Sequence, residues 1–364
     1  MPQRLLSLDV FRGLIMAFMV IVNTPGTGSA VYAPLRHAHW HGWTPTDVVF
    51  PSFVWIVGVA ISLSLGRRLE AGADRGQLFA MAAKRAAIIF ALGLLVYAYP
   101  TFDFSTFRVL GVLQRIAICY LATVGVFLLT GIRGQIVAAA ACLVGFALLM
   151  FYAPVPGYGA GRLDVEGNFA HYVDRIWLGA HNYAQTKTWD PEGVVSTLPA
   201  IGTCLIGLLA GHLLNWRRDL SVRTTWMLIT GNVLILAAFV WDAWLPINKS
   251  LWTSSFLLLM AGLDFVLFGS ILWLIDGCGY RRGLAPLVIL GKNAIAVYMA
   301  SELVDITLNA IPMGATSMRV WLYETFFAPL ASPMNASLLY AVTYMLSMLL
   351  IAYVMHRRRW YLRA

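Results

Sequence analysis

Long apolar runs separated by polar breaks dominate the chain. They cover about 8–23, 46–65, 86–99, 109–129, 135–152, 195–214, 225–245, 251–275, 284–304 and 337–355. Most approach the roughly 20 residues that carry an α-helix across about 30 Å of hydrocarbon. The runs are rich in Leu, Ala, Ile and Gly and do not alternate polar with apolar, which argues against a transmembrane β-barrel. The pattern predicts an all-α, polytopic integral membrane bundle of about ten helices.

The breaks carry their own information. Pro25-Gly26-Thr27-Gly28 stops the first run and Gly131-Ile132-Arg133-Gly134 reads as a tight turn. Residues 67–85, with Arg67, Arg68, Arg75, Lys84 and Arg85, read as a polar basic loop. Three segments are longer: 25–45, 153–194 and 305–335. Long connections of this kind are commonly functional. Within the last, Trp321 to Phe327 is expected to lie along the membrane interface. No internal repeat or linker is evident, so residues 1–364 read as a single domain. Arg4 and the apolar stretch after it resemble a signal peptide, but Asp9 and Arg12 interrupt the run, and a retained first helix is expected.

Composition supports the membrane assignment. Of 364 residues 60% are hydrophobic and 12% charged, with mean hydropathy +0.73, against about 25% charged in soluble domains. The net charge of +9 would suggest nucleic acid in a soluble protein. Here the cations flank the apolar runs, so they report topology instead and no nucleic-acid partner is expected. With the N-terminus in the cytoplasm, the clusters 67–85, Arg133, 217–223, 281–282 and 357–363 all fall inside. The three long segments and the Asn248 turn then fall outside, and both termini are cytoplasmic. The four cysteines make no CxxC and read as buried small hydrophobes.

Candidate chemistry concentrates in R-H-A-H-W-H-G-W-T-P-T-D-V-V-F-P-S-F, Arg36 to Phe53. It holds three of the seven histidines, at the mouth of an apolar run. A histidine there can act as base or nucleophile near neutral pH, with Asp47 holding one ring nitrogen protonated. Alternatively His37, His39 and His41, on one face of an extended chain, bind zinc with Asp47 as fourth ligand. Trp40 and Trp43 suit either an aromatic belt or a sugar-stacking surface. Asp9 and Arg12, one turn apart, suit an ion pair. Gln114, Arg115, Asp264, Lys292, Asn293, Glu302 and Asp305 are too costly to face lipid and should face an interior cavity. Several cations converging on one bundle suit an anionic ligand.

The blocks S-L-D-V-F-R-G-L (Ser7 to Leu14), Val22-Asn23 and the histidine stretch resemble the heparan-α-glucosaminide N-acetyltransferase family. The likeness continues through G-V-L-Q-R-I (Gly111 to Ile116) and D-P-E-G (Asp190 to Gly193). It continues again through N-K-S-L-W-T (Asn248 to Thr253) and G-K-N-A-I-x-V-Y (Gly291 to Tyr298). The resemblance implies transfer of acetyl from cytoplasmic acetyl-CoA, as co-substrate, to an amino sugar across the membrane. It points to His37 as base or acetyl carrier, with Asn23 donating to the oxyanion and Asp47 orienting the ring; no metal is implied. Lys84, Arg85, Gln114, Arg115, Lys292 and Asn293 are the candidates to hold acetyl-CoA, with Arg281 or Arg282 near its phosphates. Trp40, Asp190, Glu192, Asn248 and Lys249 are the candidates to hold the acceptor. The chain is expected to lack the luminal N-terminal segment of the lysosomal enzyme. A small amino sugar such as glucosamine, in the periplasm outside a bacterial inner membrane, is therefore the expected acceptor. The resemblance also allows a homodimer. The alternative class is a secondary transporter of a sugar or small anion, which would call for inverted repeats and paired broken helices.

Overall fold

A computed structural model describes residues 5–362; Arg4 and Arg363, assigned to the basic flanks above, lie outside the described residues. The protein is 70% helical with almost no sheet, and is a polytopic helical membrane protein. Nine helices among the described residues are long and apolar enough to span a bilayer, and a bent helix pair makes a tenth candidate.

The spanning helices are α1 (Leu6–Asn23), α2 (Val49–Glu70), α3 (Arg75–Ala98), α4 (Val112–Leu129) and α5 (Ile132–Tyr152). After the short outer helix α6 (Phe169–Trp177) come α7 (Thr197–Asn215), α8 (Leu220–Asp242) and α9 (Ser254–Leu272). The bent pair is α10 (Ala285–Lys292) and α11 (Ala294–Ala310). The small hairpin β1 (Pro312–Met313) and β2 (Thr316–Ser317), α12 (Met318–Leu322) and α13 (Pro333–Arg357) complete the chain.

Burial sorts these helices into a centre and a wall. The most apolar stretch of α7 is 72% buried and that of α8 only 22%. Accordingly Val233, Leu236, Phe239 and Val240 of α8 are exposed apolar side chains, as lipid contact demands. In the centre, Trp55 is enclosed by Phe11, Phe265 and Phe268. The deep contact of α2 with α7 depends on glycine. A Cβ on Gly58 would lie 1.9 Å from the Cys204 carbonyl oxygen, and one on Gly207 would lie 2.1 Å from that of Trp55. Without lipid-excluded hydrophobic gain, such small-residue seams hold membrane helices together through close backbone packing. Gly207→Ala should therefore lower thermal stability in detergent by about 1–3 kcal/mol. Gly28→Ala, with nothing within 4 Å of the added Cβ, should leave the unfolding midpoint in place.

Two sequence expectations need correction. Lys84 and Arg85 lie inside α3, not in a loop. Asp74 caps that helix by accepting from the Gln77 amide at 2.8 Å, and long basic side chains are good helix formers whose charged ends reach outward. The run 284–304 is not one straight span. It bends by 81° between α10 and α11. Asn293 closes α10 by donating from Nδ2 to the Ile289 carbonyl at 3.1 Å, and its own carbonyl accepts from Val297 to start α11. Gly291 packs so closely on α1 that a Cβ would sit 2.0 Å from the Asp9 carbonyl oxygen. In the third long segment, the region 321–327 is helical, continuing α12 through a wider turn at Tyr323–Phe327.

Candidate functional site

The local sequence T-P-T-D builds the histidine site. Pro45 sits at the first position of a tight turn, Pro45–Val48, that leads into α2. Asp47 points back across the turn and is fully buried. It accepts from the Thr44 amide at 3.0 Å and the Ala38 amide at 3.1 Å. Its other oxygen lies 2.6 Å from His37 Nδ1. A carboxylate can only accept, so Nδ1 carries the proton and Nε2 keeps its lone pair. Thr44 Oγ1 donates to the Arg36 carbonyl at 2.6 Å and fixes the backbone just before His37.

Lys249 arrives from the turn before α9. Its Nζ lies 2.9 Å from His37 Nδ1 and 3.4 Å from Asp47 Oδ1. Burial holds its amine below the usual lysine range, against the pull of Asp47 and Glu192. His37 and Lys249 line a cavity of about 300 Å³, termed outer after the side to which the charge pattern assigns the histidine stretch, with Asn23, Arg108, Tyr183, Glu192, Ser250 and Tyr298. That is the lower end of the volume that takes small ligands. Asn23 lies within hydrogen-bonding reach of Glu302 on α11, which positions its amide at the cavity wall.

Arg108 is the residue the sequence did not single out. Its guanidinium donates twice to Asp190, from Nε at 2.7 Å and from Nη2 at 2.5 Å, and also to Glu192. It lies over the rings of Tyr97 and Tyr183 at 5.1 Å and 4.4 Å. Burial pushes the Glu192 carboxyl up, but Arg108, Arg115 and Lys249 outweigh it and hold the group below the usual range. Asp190 sits above its usual range because burial outweighs the bonds from Arg108. The Asp190–Gly193 loop is shaped from behind by Asp174, which accepts from the Val194 amide at 2.9 Å. Burial pushes the Asp174 carboxyl up to about 6.

A second, inner cavity of about 210 Å³ lies along the same helices. Three cations, Arg12, Arg85 and Lys292, line it with no carboxylate among its lining residues. Arg85 lies 5.3 Å over the Tyr120 ring, and Arg12 is 3.6 Å from Asp9, the expected ion pair. Arg12, expected only as the partner of Asp9, and Phe53, which the sequence did not single out, also line it.

Other candidates sit elsewhere. Trp40 does not line the outer cavity: it donates to the Leu163 carbonyl at 3.1 Å and packs on Trp189 and His171. It pins the outer loop. His171, stacked on Trp189 at 4.2 Å, is driven down to about 3 by burial and stays neutral. Asn248 is buried and shapes its turn, accepting from the Leu251 amide at 2.9 Å; Asp190 acts through Arg108. Arg115 lies behind both cavities, bonded to Ser196 and to the Gly193 carbonyl, over Trp252. Gln114 is buried against Gly93, and Asn293 closes α10. Lys84 is exposed and lines neither cavity; Arg281 bonds back to the Ile275 carbonyl. His39 is exposed and His41 leans on Asn248 at 3.5 Å, so the three histidines do not converge. Among the described residues no group of three His, Cys, Asp or Glu is placed to hold a metal.

A family model described as heparan-alpha-glucosaminide N-acetyltransferase, catalytic, matches residues 4–240. The chain is 28% identical over 359 residues to heparan-alpha-glucosaminide N-acetyltransferase of Homo sapiens, covering 84% of this chain and 54% of the relative. It is 27% identical over 360 residues to the Mus musculus protein of the same name, covering 83% and 54%. The chain thus spans about half the length of the curated relatives it matches. The matched region holds Asn23, His37, Asp47, Arg108 and Glu192, while Lys249 and Lys292 lie beyond it. With well over half of its residues matched, the chain belongs to the heparan-alpha-glucosaminide N-acetyltransferase family.

Proposed function

We propose that this protein is a transmembrane N-acetyltransferase, folded as one catalytic domain, that moves acetyl from acetyl-CoA to the amine of glucosamine or a related amino sugar. Acetyl-CoA enters the inner cavity from the cytoplasm, and the sugar enters the outer cavity from the periplasm of a bacterial inner membrane. The difference between the two cavities supports this most: the outer one is lined by a histidine and a carboxylate as well as cations, the inner one by cations alone among its charged residues. The outer cavity is lined by His37, Arg108, Glu192 and Lys249, with the buried carboxylates Asp47 and Asp190 paired to His37 and Arg108, a mixed set that suits a polar acceptor carrying an amine. The inner cavity sets Arg12, Arg85 and Lys292 in a largely apolar lining, which suits the phosphates and the apolar arm of a nucleotide thioester.

In direct transfer, the sugar amine attacks the thioester carbon while His37 Nε2 takes the departing N–H proton. The oxyanion accepts a hydrogen bond from Asn23. The C–S bond then breaks, and the imidazolium returns its proton to the thiolate. In the covalent variant, Nε2 takes the acetyl first, releasing the thiolate; the amine then displaces the imidazole, and the proton it sheds passes by way of Nε2 to the thiolate.

The test is acetylation of a panel of amino sugars by the purified protein with labelled acetyl-CoA. Wild type should form N-acetylglucosamine. Replacing Arg85 and Lys292 by glutamine should raise the KM for acetyl-CoA at least tenfold with little change in the KM for glucosamine. No product from any amino sugar, with uptake of sugar into sealed vesicles instead, would favour a carrier.

A further inference from the structure

The two cavities share a single lining residue, Phe53 of α2. Three helices pass from one cavity to the other at the same level. On α2, Phe50 lines the outer cavity and Ile56 the inner. On α4, Val112 is outer and Ile116 inner. On α11, Tyr298 is outer and Ile295 inner. Phe53 lies between Phe50 and Ile56 on α2, half-buried among apolar neighbours. Phe53 is therefore the lining residue at which the cationic space and the histidine site meet.

We propose that Phe53 is a side-chain gate, and thereby the residue that decides what passes between the two cavities. Resting on the acetyltransferase reading above, its cargo is the linear thioester arm of the donor. With the ring across the passage, an apolar constriction excludes water and ions, which a continuous polar path through a membrane would leak. Side-chain rotation is fast compared with helix movement. An unbranched arm can therefore pass beside a rotated ring while a hexose cannot, and the two cavities stay chemically distinct.

The test uses the full chain in sealed vesicles of either orientation, with Cys278→Ser as background. Cys278 is exposed, whereas Cys119, Cys142 and Cys204 are buried. Val112→Cys places a thiol on the outer side of Phe53. The probe is a membrane-impermeant anionic methanethiosulfonate applied to one face at a time. With Phe53 in place, labelling from the face nearer Arg85 should be at least tenfold slower than from the opposite face. Phe53→Ala should raise the slow rate at least tenfold, Phe53→Leu should raise it less, and Phe53→Trp should lower it. Labelling from the outer face should stay constant in all variants, which reports an intact fold. Equal labelling from both faces with Phe53 present would overturn the gate. So would a slow rate indifferent to Phe53→Ala or Phe53→Leu. Labelling needs neither acetyl-CoA nor sugar, so failure of the gate and failure of the acetyltransferase reading are read separately.

Discussion

His37→Ala is expected to lower the kcat for acetyl transfer to glucosamine by roughly 10²–10⁴-fold, the range that a positioned general base supplies. The KM for acetyl-CoA should change little, because the cationic cavity that suits the donor lies below Phe53. The expectation follows from the wiring of the ring. Asp47 is buried and accepts from the Ala38 and Thr44 amides before it reaches His37, so the imidazole is held with its proton on Nδ1 and its lone pair on Nε2, 3.4 Å from Lys249 Nζ. Asp47→Asn keeps the shape but places an amide where Nδ1–H needs an acceptor, and should also reduce kcat. A folded His37→Ala protein with wild-type turnover would remove His37 from the chemistry.

Arg108→Ala should have the largest effect on stability, lowering it by about 3–5 kcal/mol in a detergent unfolding assay. Removing one partner of a buried ion pair strands the other without compensation, and here Arg108 serves two carboxylates. The Arg108 side chain is 10% exposed and Asp190 is fully enclosed. Arg108→Lys should recover only part of the loss, since an ammonium cannot reproduce the paired donation to Asp190. Converting Asp190 and Glu192 to their amides alongside Arg108→Met should be milder than Arg108→Ala alone, because no uncompensated charge remains. Unfolding at the wild-type temperature in Arg108→Ala would contradict this account of the outer site.

The helices were legible because run length and apolar composition respond directly to the bilayer. The bend at Asn293 was not, because Lys292 and Asn293 interrupt an otherwise apolar run without a strong turn signal, and Gly291 meets the backbone of α1 across 282 positions of chain. Lys84 and Arg85 misled because charge reads as a break, although Asp74 offered a helix cap just upstream. At the site, His37 and Asp47 were readable from one short stretch, where a proline-led turn brings the carboxylate back to the ring. Trp40 and Asn248 looked equally chemical, but an outer loop must satisfy its own backbone groups, and that is where their polar atoms go. Arg108 was hidden because its partners lie 82 and 84 residues away. Two acidic side chains in D-P-E-G that become buried require a cation, yet the sequence does not say which one.

The proposed route carries acetyl from the inner cavity, whose charged lining is cationic, to the histidine site of the outer one. It is tested most directly in sealed proteoliposomes, with labelled acetyl-CoA confined to the face nearer Arg85 and Lys292 and glucosamine confined to the other. The account predicts labelled N-acetylglucosamine on the glucosamine side, free coenzyme A on the donor side, and neither with His37→Ala. Product that forms only when both substrates share one face would contradict it.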